Sequence, residues 1–294
     1  MEQLALRKPE WLTITPPKNN YKVNSIKENL NKFNLHTVCE ESHCPNISEC
    51  WSSGTATFMI MGDTCTRGCK FCNVKTYYKG IELDKDEPIK LAEAVKNLDL
   101  DYIVVTSVDR DDLNDQGSSH FAECIRELKK NNILVEVLIP DFKADYYCIK
   151  RIVESKPDVI AHNIETIRRL QKKVRDPRAN YEQSLKVLRT IKELNKNIFT
   201  KSSIMLGFGE TDEEVIKTMK DLREIDVDLF TLGQYLRPSQ RHLNVEEFIH
   251  PDKFKFFEIK GKELGFRYVA SGPFVRSSYK AGELFVKNLL KNNP

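Results

Sequence analysis

Six of the chain's eight cysteines, Cys39, Cys44, Cys50, Cys65, Cys69 and Cys72, fall within 34 residues. Cys65-Thr66-Arg67-Gly68-Cys69-Lys70-Phe71-Cys72 is a CxxxCxxC run, with three thiolates on one tight loop relieved by a glycine. Such a loop suits a cuboidal iron–sulfur cluster, because three thiolates for four irons leave one iron open to a non-protein ligand. Cys39, Cys44 and Cys50, spaced CxxxxCxxxxxC, form a second triad that is also one thiolate short. Two incomplete triads suggest two clusters, each with a reactive corner. Structural zinc usually takes four protein ligands from two paired CxxC knuckles, which neither triad offers. A mixed zinc site using His36 or His43, and a polynuclear six-thiolate zinc cluster, stand as alternatives. Cys124 and Cys148 stand alone in apolar-periodic segments and read as small core hydrophobes.

These residues need elements to position them. Apolar, β-branched runs at 57–61, 102–106, 134–139, 159–162, 198–206, 229–232 and 268–270 read as strands. Between them, 87–98, 119–130, 146–154, 181–194, 211–225 and 251–264 carry apolar residues at helical spacing. Thr211-Asp212-Glu213-Glu214 is a capping box opening one of those helices. Strand then helix, six times with a final strand, predicts parallel strands with crossover helices and hence an α/β barrel, open or closed. Upstream, Pro9, Pro16, Pro17 and Pro45 mark an extended arm leading into the first cysteine region, with a short helix over 25–33. The expected segments are 1–55, a barrel over 56–270, and a C-terminal segment over 271–294.

In such a barrel the chemistry sits at the C-terminal strand ends. Asn163 and Glu165 there either hydrogen-bond a cofactor or form a surface turn. Gly207-Phe208-Gly209-Glu210 lacks the third glycine of a dinucleotide loop. Its glycines either admit the backbone close to a cofactor or make a plain strand-to-helix turn. Asp109, Asp111 and Asp112 are either a hard-cation site or a solvated loop. Arg237, Arg241 and Arg276, following strand ends, are candidates for contacting an acidic partner.

The chain has 294 residues and 34.1 kDa, with 40% hydrophobic and 30% charged residues, which excludes global disorder. A net charge of +3 gives no field that selects nucleic acid. No apolar run approaches the roughly 20 residues of a membrane helix. The first residues show no secretory or transit pattern, so a cytoplasmic location is expected.

The 65–72 run, with its aromatic Phe71, resembles the cluster motif of the radical S-adenosylmethionine superfamily. Together with His36-Thr37-Val38-Cys39-Glu40-Glu41, Cys44-Pro45-Asn46 and Glu49-Cys50-Trp51, it resembles the lipoyl synthase family. His162-Asn163-Ile164-Glu165-Thr166, the 205–211 and 231–239 stretches and Ser271-Gly272-Pro273-Phe274-Val275-Arg276-Ser277-Ser278-Tyr279 are similar to signatures of that family. The segment Val174-Arg175-Asp176-Pro177-Arg178-Ala179-Asn180 departs from its commonest form, Arg-Pro-Gly-Ala.

The resemblance implies a partial (β/α)6 barrel with extensions carrying an auxiliary cluster. The activity it implies is insertion of two sulfur atoms at C6 and C8 of an octanoyl chain on a lipoyl carrier domain. Cys65, Cys69 and Cys72 would hold the 4Fe-4S cluster that binds S-adenosylmethionine. One electron from ferredoxin or flavodoxin would then yield a 5′-deoxyadenosyl radical. Cys39, Cys44 and Cys50 would hold a sacrificial 4Fe-4S cluster, with Ser278, in preference to Ser277, as fourth ligand and catalytic group. Phe71, Asn163, Glu165, Gly207 and Glu210 are the expected cofactor-binding residues. The carrier would be a 2-oxoacid dehydrogenase E2 or glycine cleavage H protein, with no nucleic acid or membrane involved. Other readings are a different radical sulfur-inserting enzyme, such as one resembling biotin synthase, and a zinc-bound interaction module.

Overall fold

The computed structural model describes residues 7–13, 21–44, 46–52, 56–98 and 102–278. The expectations for Pro16, Pro17, Pro45 and residues 279–294 of the C-terminal segment lie outside them. Seven parallel strands build the main sheet: β2 (Thr57–Ile60), β5 (Tyr102–Ser107), β6 (Leu134–Leu138), β7 (Val159–Ala161), β8 (Phe199–Leu206), β9 (Leu229–Gln234) and β10 (Tyr268–Gly272). They lie side by side in chain order, and β1 (His36–Thr37) adds antiparallel to β2 at one edge. β1 and β10 do not pair, so the barrel is open. A two-strand ribbon, β3 (Thr64–Cys65) with β4 (Lys75–Thr76), flanks the cysteine loop.

Helices α4 (Glu87–Asn97), α5 (Ser118–Lys129), α6 (Tyr146–Glu154), α8 (Tyr181–Leu194), α9 (Asp212–Glu224) and α10 (Pro251–Glu263) make the crossovers. A short α7 (Gln171–Val174) precedes α8. The arm contributes α1 (Tyr21–Phe33), α2 (Val38–Glu41) and α3 (Ile47–Ser52). The first begins four residues before its expected start.

Local chemistry starts these helices. Thr211 and Glu214 exchange both bonds of the capping box on α9. Asp145 caps α6 through the Cys148 amide, and Asn180 caps α8 through Gln183. Apolar faces of strands and helices meet in two large clusters, one per half of the barrel. Cys124 and Cys148 lie buried in the first, as their periodic setting implied. Inside the barrel, Lys201 on β8 donates to Glu136 on β6 at 2.7 Å, and the Tyr102 hydroxyl donates to the same carboxylate at 2.5 Å. All three are buried, and no periodicity argument flagged them.

Candidate active site

A cavity of about 550 Å³ opens at the C-terminal strand ends, and all six clustered cysteines line it together with Ser277 and Ser278. Phe71, Asn163 and Glu165 line it too.

The 65–72 loop starts at the end of β3 and is tied down along its length. Arg67 is buried; its Nε and Nη2 grip the Asp111 carboxylate at 2.7 and 2.9 Å, and Nη1 reaches Asp141 at 2.6 Å. The Gly68 amide donates to Asp176 at 2.8 Å and the Lys70 amide to the Val174 carbonyl at 2.9 Å. Arg178 donates to the Thr66 carbonyl at 2.6 Å. Each sulfur then receives a backbone N–H: Cys65 from Arg67 and Cys69 from Asp176, both at 3.4 Å, and Cys72 from Val74. Such donors stabilise sulfur-bound negative charge and tune a cluster held there. Without a cation, burial pushes Cys65 and Cys69 up to about 12 and Cys72 up to about 11. The thiols stay protonated until a metal core displaces those protons.

The second triad is built by the arm. Thr37 caps α2, which carries Cys39, and α3 carries Cys50, whose amide donates to the Asn46 carbonyl at 2.9 Å. Cys44 lies between the two helices, its amide bonded to the Cys39 carbonyl at 3.0 Å. Burial pushes Cys39 up to about 11, opposed by an N–H from Thr57. The chain after β10 crosses back over β9 to reach this triad. A Cβ on Gly233 would lie 1.9 Å from the Val275 carbonyl oxygen, and the buried Asn46 amide donates to the Phe274 carbonyl at 2.6 Å. That crossing delivers Ser277 and Ser278 to the cavity.

All eight cysteines are unpaired, and neither triad brings three sulfurs within 4.8 Å of one another. Thiolates on one tetrahedral zinc, about 2.3 Å from the metal, would lie roughly 3.8 Å apart. The wider spacing suits a polynuclear core. Neither His36, beside Glu41, nor His43, beside Asn73, joins a three-ligand group among the described residues.

Several other expectations meet a different arrangement. Asp109, Asp111 and Asp112 form neither a cation site nor a solvated loop. Arg67 takes Asp111 and approaches Asp109 at 3.4 Å, while Arg110 takes Asp112 at 2.9 Å. Burial opposes ionisation of Asp111, yet the Arg67 bonds hold it down to about 2. Gly207 and Glu210, expected at the cofactor, are not among the cavity-lining residues. The Glu210 carboxylate folds back onto the Gly207 and Phe208 amides. Gly207, at φ +112°, leaves its side-chain space to Gln234 and the Glu247 carbonyl. That is the plain turn.

Asn163 and Glu165 do face the cavity. Glu165 sits at φ +67°, bridged by its backbone to Ser203 and Met205, and accepts from the Asn163 amide. Burial raises its carboxyl. The three arginines expected to dock a carrier are dispersed: Arg276 is inside the cavity beside Cys44, Arg237 lines the cavity wall, and Arg241 lines a separate outer groove. Sequence reasoning missed Arg175, a buried cavity residue that donates to Ser184 at 2.8 Å and keeps an unpartnered Nε. His162, at the head of the 162–166 stretch, is buried between the Ile139 carbonyl and Ser184 and pushed down to about 4 by burial and then Arg175. For Arg175 the available signal was its place within the odd 174–180 segment.

An open parallel barrel with a three-cysteine loop after its first barrel strand defines a class. The profile of the radical SAM superfamily matches residues 59–222. Solved structures share the fold at low identity: methylornithine synthase, with TM-score 0.55 and 13% identity over 80% of each chain, and the FeFe-hydrogenase maturase HydG from Carboxydothermus hydrogenoformans. HydG gives TM-score 0.55 and 13% identity over 93% of this chain and 79% of its own.

A profile described as the N-terminal domain of lipoyl synthase matches residues 1–44. The chain is 57% identical to the mitochondrial lipoyl synthase of Bos taurus over 97% of its length and 78% of that protein's. It is 56% identical to the human mitochondrial enzyme, with the same two coverages. The apicoplast lipoyl synthase of Plasmodium knowlesi (strain H) is 54% identical, over 97% of this chain and 65% of that one. The chain belongs to the lipoyl synthase family. The organelles in these names overturn the expected cytoplasmic location, which rested on an absent leader pattern; an absence in this stretch of chain carries no such information.

The family works with S-adenosylmethionine and 4Fe-4S clusters. The residues present fit both groups: two widely spaced thiol triads, an N–H aimed at each sulfur of the 65–72 loop, and unpartnered polar atoms on Asn163 and Arg175 at the wall between them.

Proposed function

We propose that Cys65, Cys69 and Cys72 hold the cluster that binds S-adenosylmethionine. Cys39, Cys44, Cys50 and Ser278 hold a second cluster that surrenders two sulfur atoms to C6 and C8 of a carrier-bound octanoyl chain. The observation that carries this reading is that two thiol triads of different spacing open into one cavity. When bound, these groups supply a 5′-deoxyadenosyl radical for unactivated C–H bonds, which offer no acidic proton, and the sulfur that replaces the hydrogen.

The protein's own residues then orient and enclose. Arg67, Asp176 and Arg178 fix the loop so that its three sulfurs keep their spacing. Asn163, Glu165 and Arg175 offer an amide, a carboxylate and a guanidinium to the amino, ribose and carboxylate groups of the cofactor, and Phe71 packs at the same wall. The Ser278 hydroxyl oxygen would hold the remaining iron of the second cluster as a harder, more readily protonated ligand than a thiolate. The reading assigns 1–55 and 271–294 to the second cluster and 56–270 to the radical barrel. Lipoyl carrier proteins are the substrates; within that class the reading favours a 2-oxoacid dehydrogenase E2 domain or a glycine cleavage H protein, with ferredoxin or flavodoxin as electron source.

Replacing the two triads separately tests the division. Cys65, Cys69 and Cys72 changed together to Ala should leave one cluster and abolish S-adenosylmethionine cleavage. The same change at Cys39, Cys44 and Cys50 should leave one cluster and keep cleavage. Wild-type protein should hold about eight irons. Loss of cleavage in both variants, with one intact cluster each, would refute the assignment.

A further inference from the structure

Between the end of β2 and the start of β3 the chain turns through two successive left-handed residues, Met61 at φ +67° and Gly62 at φ +86°. Glycine adopts that region freely, whereas a methionine stays there only where its surroundings hold it. Met61 is held on three sides. Its amide donates to the Glu87 carboxylate, 3.0 Å from Oε2 and 3.2 Å from Oε1. Its carbonyl accepts from Arg110 Nη1 at 3.5 Å, and Arg110 is itself fixed by Asp112 at 2.9 Å. Its side chain fills the space over Gly117, where an added Cβ would lie 2.3 Å from Sδ.

Glu87 opens α4, and its carboxylate lies 2.5 Å from His120 Nε2 on α5. Glu87, His120 and Met61 are all buried. A carboxylate only accepts, so His120 carries its proton on Nε2. Cys124, one turn further along α5, lies within 4.8 Å of both groups. The carboxylate oxygens are already taken by the Met61 and His120 N–H groups, so the trio works as a clamp and not as a metal centre. The ties described above reach the cysteine loop at or after Thr66, and β4, the ladder partner of β3, belongs to the same excursion of chain. The clamp grips the chain from the other side, four residues before Cys65.

We propose that Glu87, tied by His120, is a positioning residue for the first thiol of the cysteine loop: it fixes the turn at Met61 and Gly62, and with it the point from which Cys65 meets its cluster. The proposal rests on the assignment of the S-adenosylmethionine cluster to Cys65, Cys69 and Cys72. Glu87 does not line the cavity and acts through the backbone alone. Reach, not charge, is what the clamp requires. A glutamine keeps the length, since its carbonyl oxygen accepts from Met61 and its amide donates to His120 in the other tautomer. An aspartate keeps the charge and an acid at the helix start but is one methylene, about 1.5 Å, too short. Glu87→Gln should therefore be tolerated and Glu87→Asp should not, the reverse of the order that charge would give.

The test reduces reconstituted holoenzyme with dithionite and records its EPR spectrum with and without S-adenosylmethionine, so that the difference isolates the cluster the cofactor touches. Glu87→Asp should load about eight irons, as wild type does. Its difference spectrum should be shifted or broadened, and it should cleave S-adenosylmethionine at least about tenfold more slowly. His120→Asn, too short to reach the carboxylate, should do the same from the α5 side. Glu87→Gln should restore the wild-type spectrum and most of the cleavage rate. Lys201→Met, which breaks a buried pair outside the cavity lining, should lower the urea midpoint and leave the spectrum unchanged. Wild-type spectra in both Glu87→Asp and His120→Asn, a Glu87→Gln variant as impaired as Glu87→Asp, or the same spectral change in Lys201→Met would each overturn the positioning role. Failure of the underlying assignment shows separately, as wild-type protein whose EPR spectrum does not respond to S-adenosylmethionine.

Discussion

Replacing Gly233 with Ala tests how the C-terminal serines reach the second triad. Gly233 lies in β9 without a left-handed φ, so Ala fits the backbone and the perturbation is purely steric. Its Cβ would stand 1.9 Å from the Val275 carbonyl oxygen, 2.9 Å from the carbonyl carbon and 3.2 Å from the Arg276 guanidinium. The nearest neighbours are backbone, which cannot swing aside as a side chain does. Restoring an ordinary contact of about 3.4 Å moves the 275–278 segment by about 1.5 Å. Its anchors nearby are Gln234 N–H to the Pro273 carbonyl at 3.3 Å, Val275 N–H to the Gly272 carbonyl at 3.0 Å and the Asn46 amide to the Phe274 carbonyl at 2.6 Å.

Ligand distances tolerate about 0.2 Å, so under the proposed ligand set a displaced Ser278 would no longer reach a cluster on Cys39, Cys44 and Cys50. Overpacking costs about 1–3 kcal/mol, too little to unfold the barrel. A misplacement of this size costs catalysis about 100-fold or more. The expected result is S-adenosylmethionine cleavage near the wild-type rate, lipoyl formation down by about that factor, and an altered Mössbauer spectrum for one cluster only. Lipoyl formation at the wild-type rate would refute the crossing of 275–278 over β9 as the determinant of the site.

Other consequences follow from the same geometry. Ser278→Ala should load both clusters and fail to complete sulfur insertion, and Ser278→Cys should load them as firmly and stall; a helix-capping serine would instead cost about 1 kcal/mol with turnover kept, and product mass spectrometry separates the two. Lys201→Met leaves the Glu136 carboxylate buried without its cation and should lose about 3–5 kcal/mol in urea unfolding, whereas Lys201→Met with Glu136→Leu should recover most of it. A double variant less stable than the single one would contradict that account. His162, held neutral by burial and pushed down to about 4, makes the unfolded chain the stronger proton binder once pH falls below the ordinary histidine value of about 6.5. Stability should therefore drop by about 1 kcal/mol between pH 7.5 and 5.5 from this residue. Parallel urea titrations should show His162→Asn losing correspondingly less, and equal losses would remove His162 as the cause.

Local information was written in the sequence. Helices Tyr146–Glu154 and Tyr181–Leu194 and the Thr211 capping box appear where periodicity and cap chemistry put them. Such signals depend on residues three or four apart. Strand-and-helix alternation likewise required the parallel sheet, and the thiol spacing pointed to metal chemistry before any strand was placed. What only the tertiary structure decided is which distant residues share a strand end. Arg67 meets Asp111 and Asp141, Asp176 meets Gly68 and Cys69, and Arg276 comes to lie beside Cys44 instead of on a docking surface with Arg237 and Arg241. The partners of Glu210, the Gly207 and Phe208 amides, depend on how the loop after β8 folds back. These pairings cross separations of up to 232 residues, between Cys44 and Arg276, and are set by strand order and by the packing of loops over the barrel mouth, which leave no periodic trace along the chain.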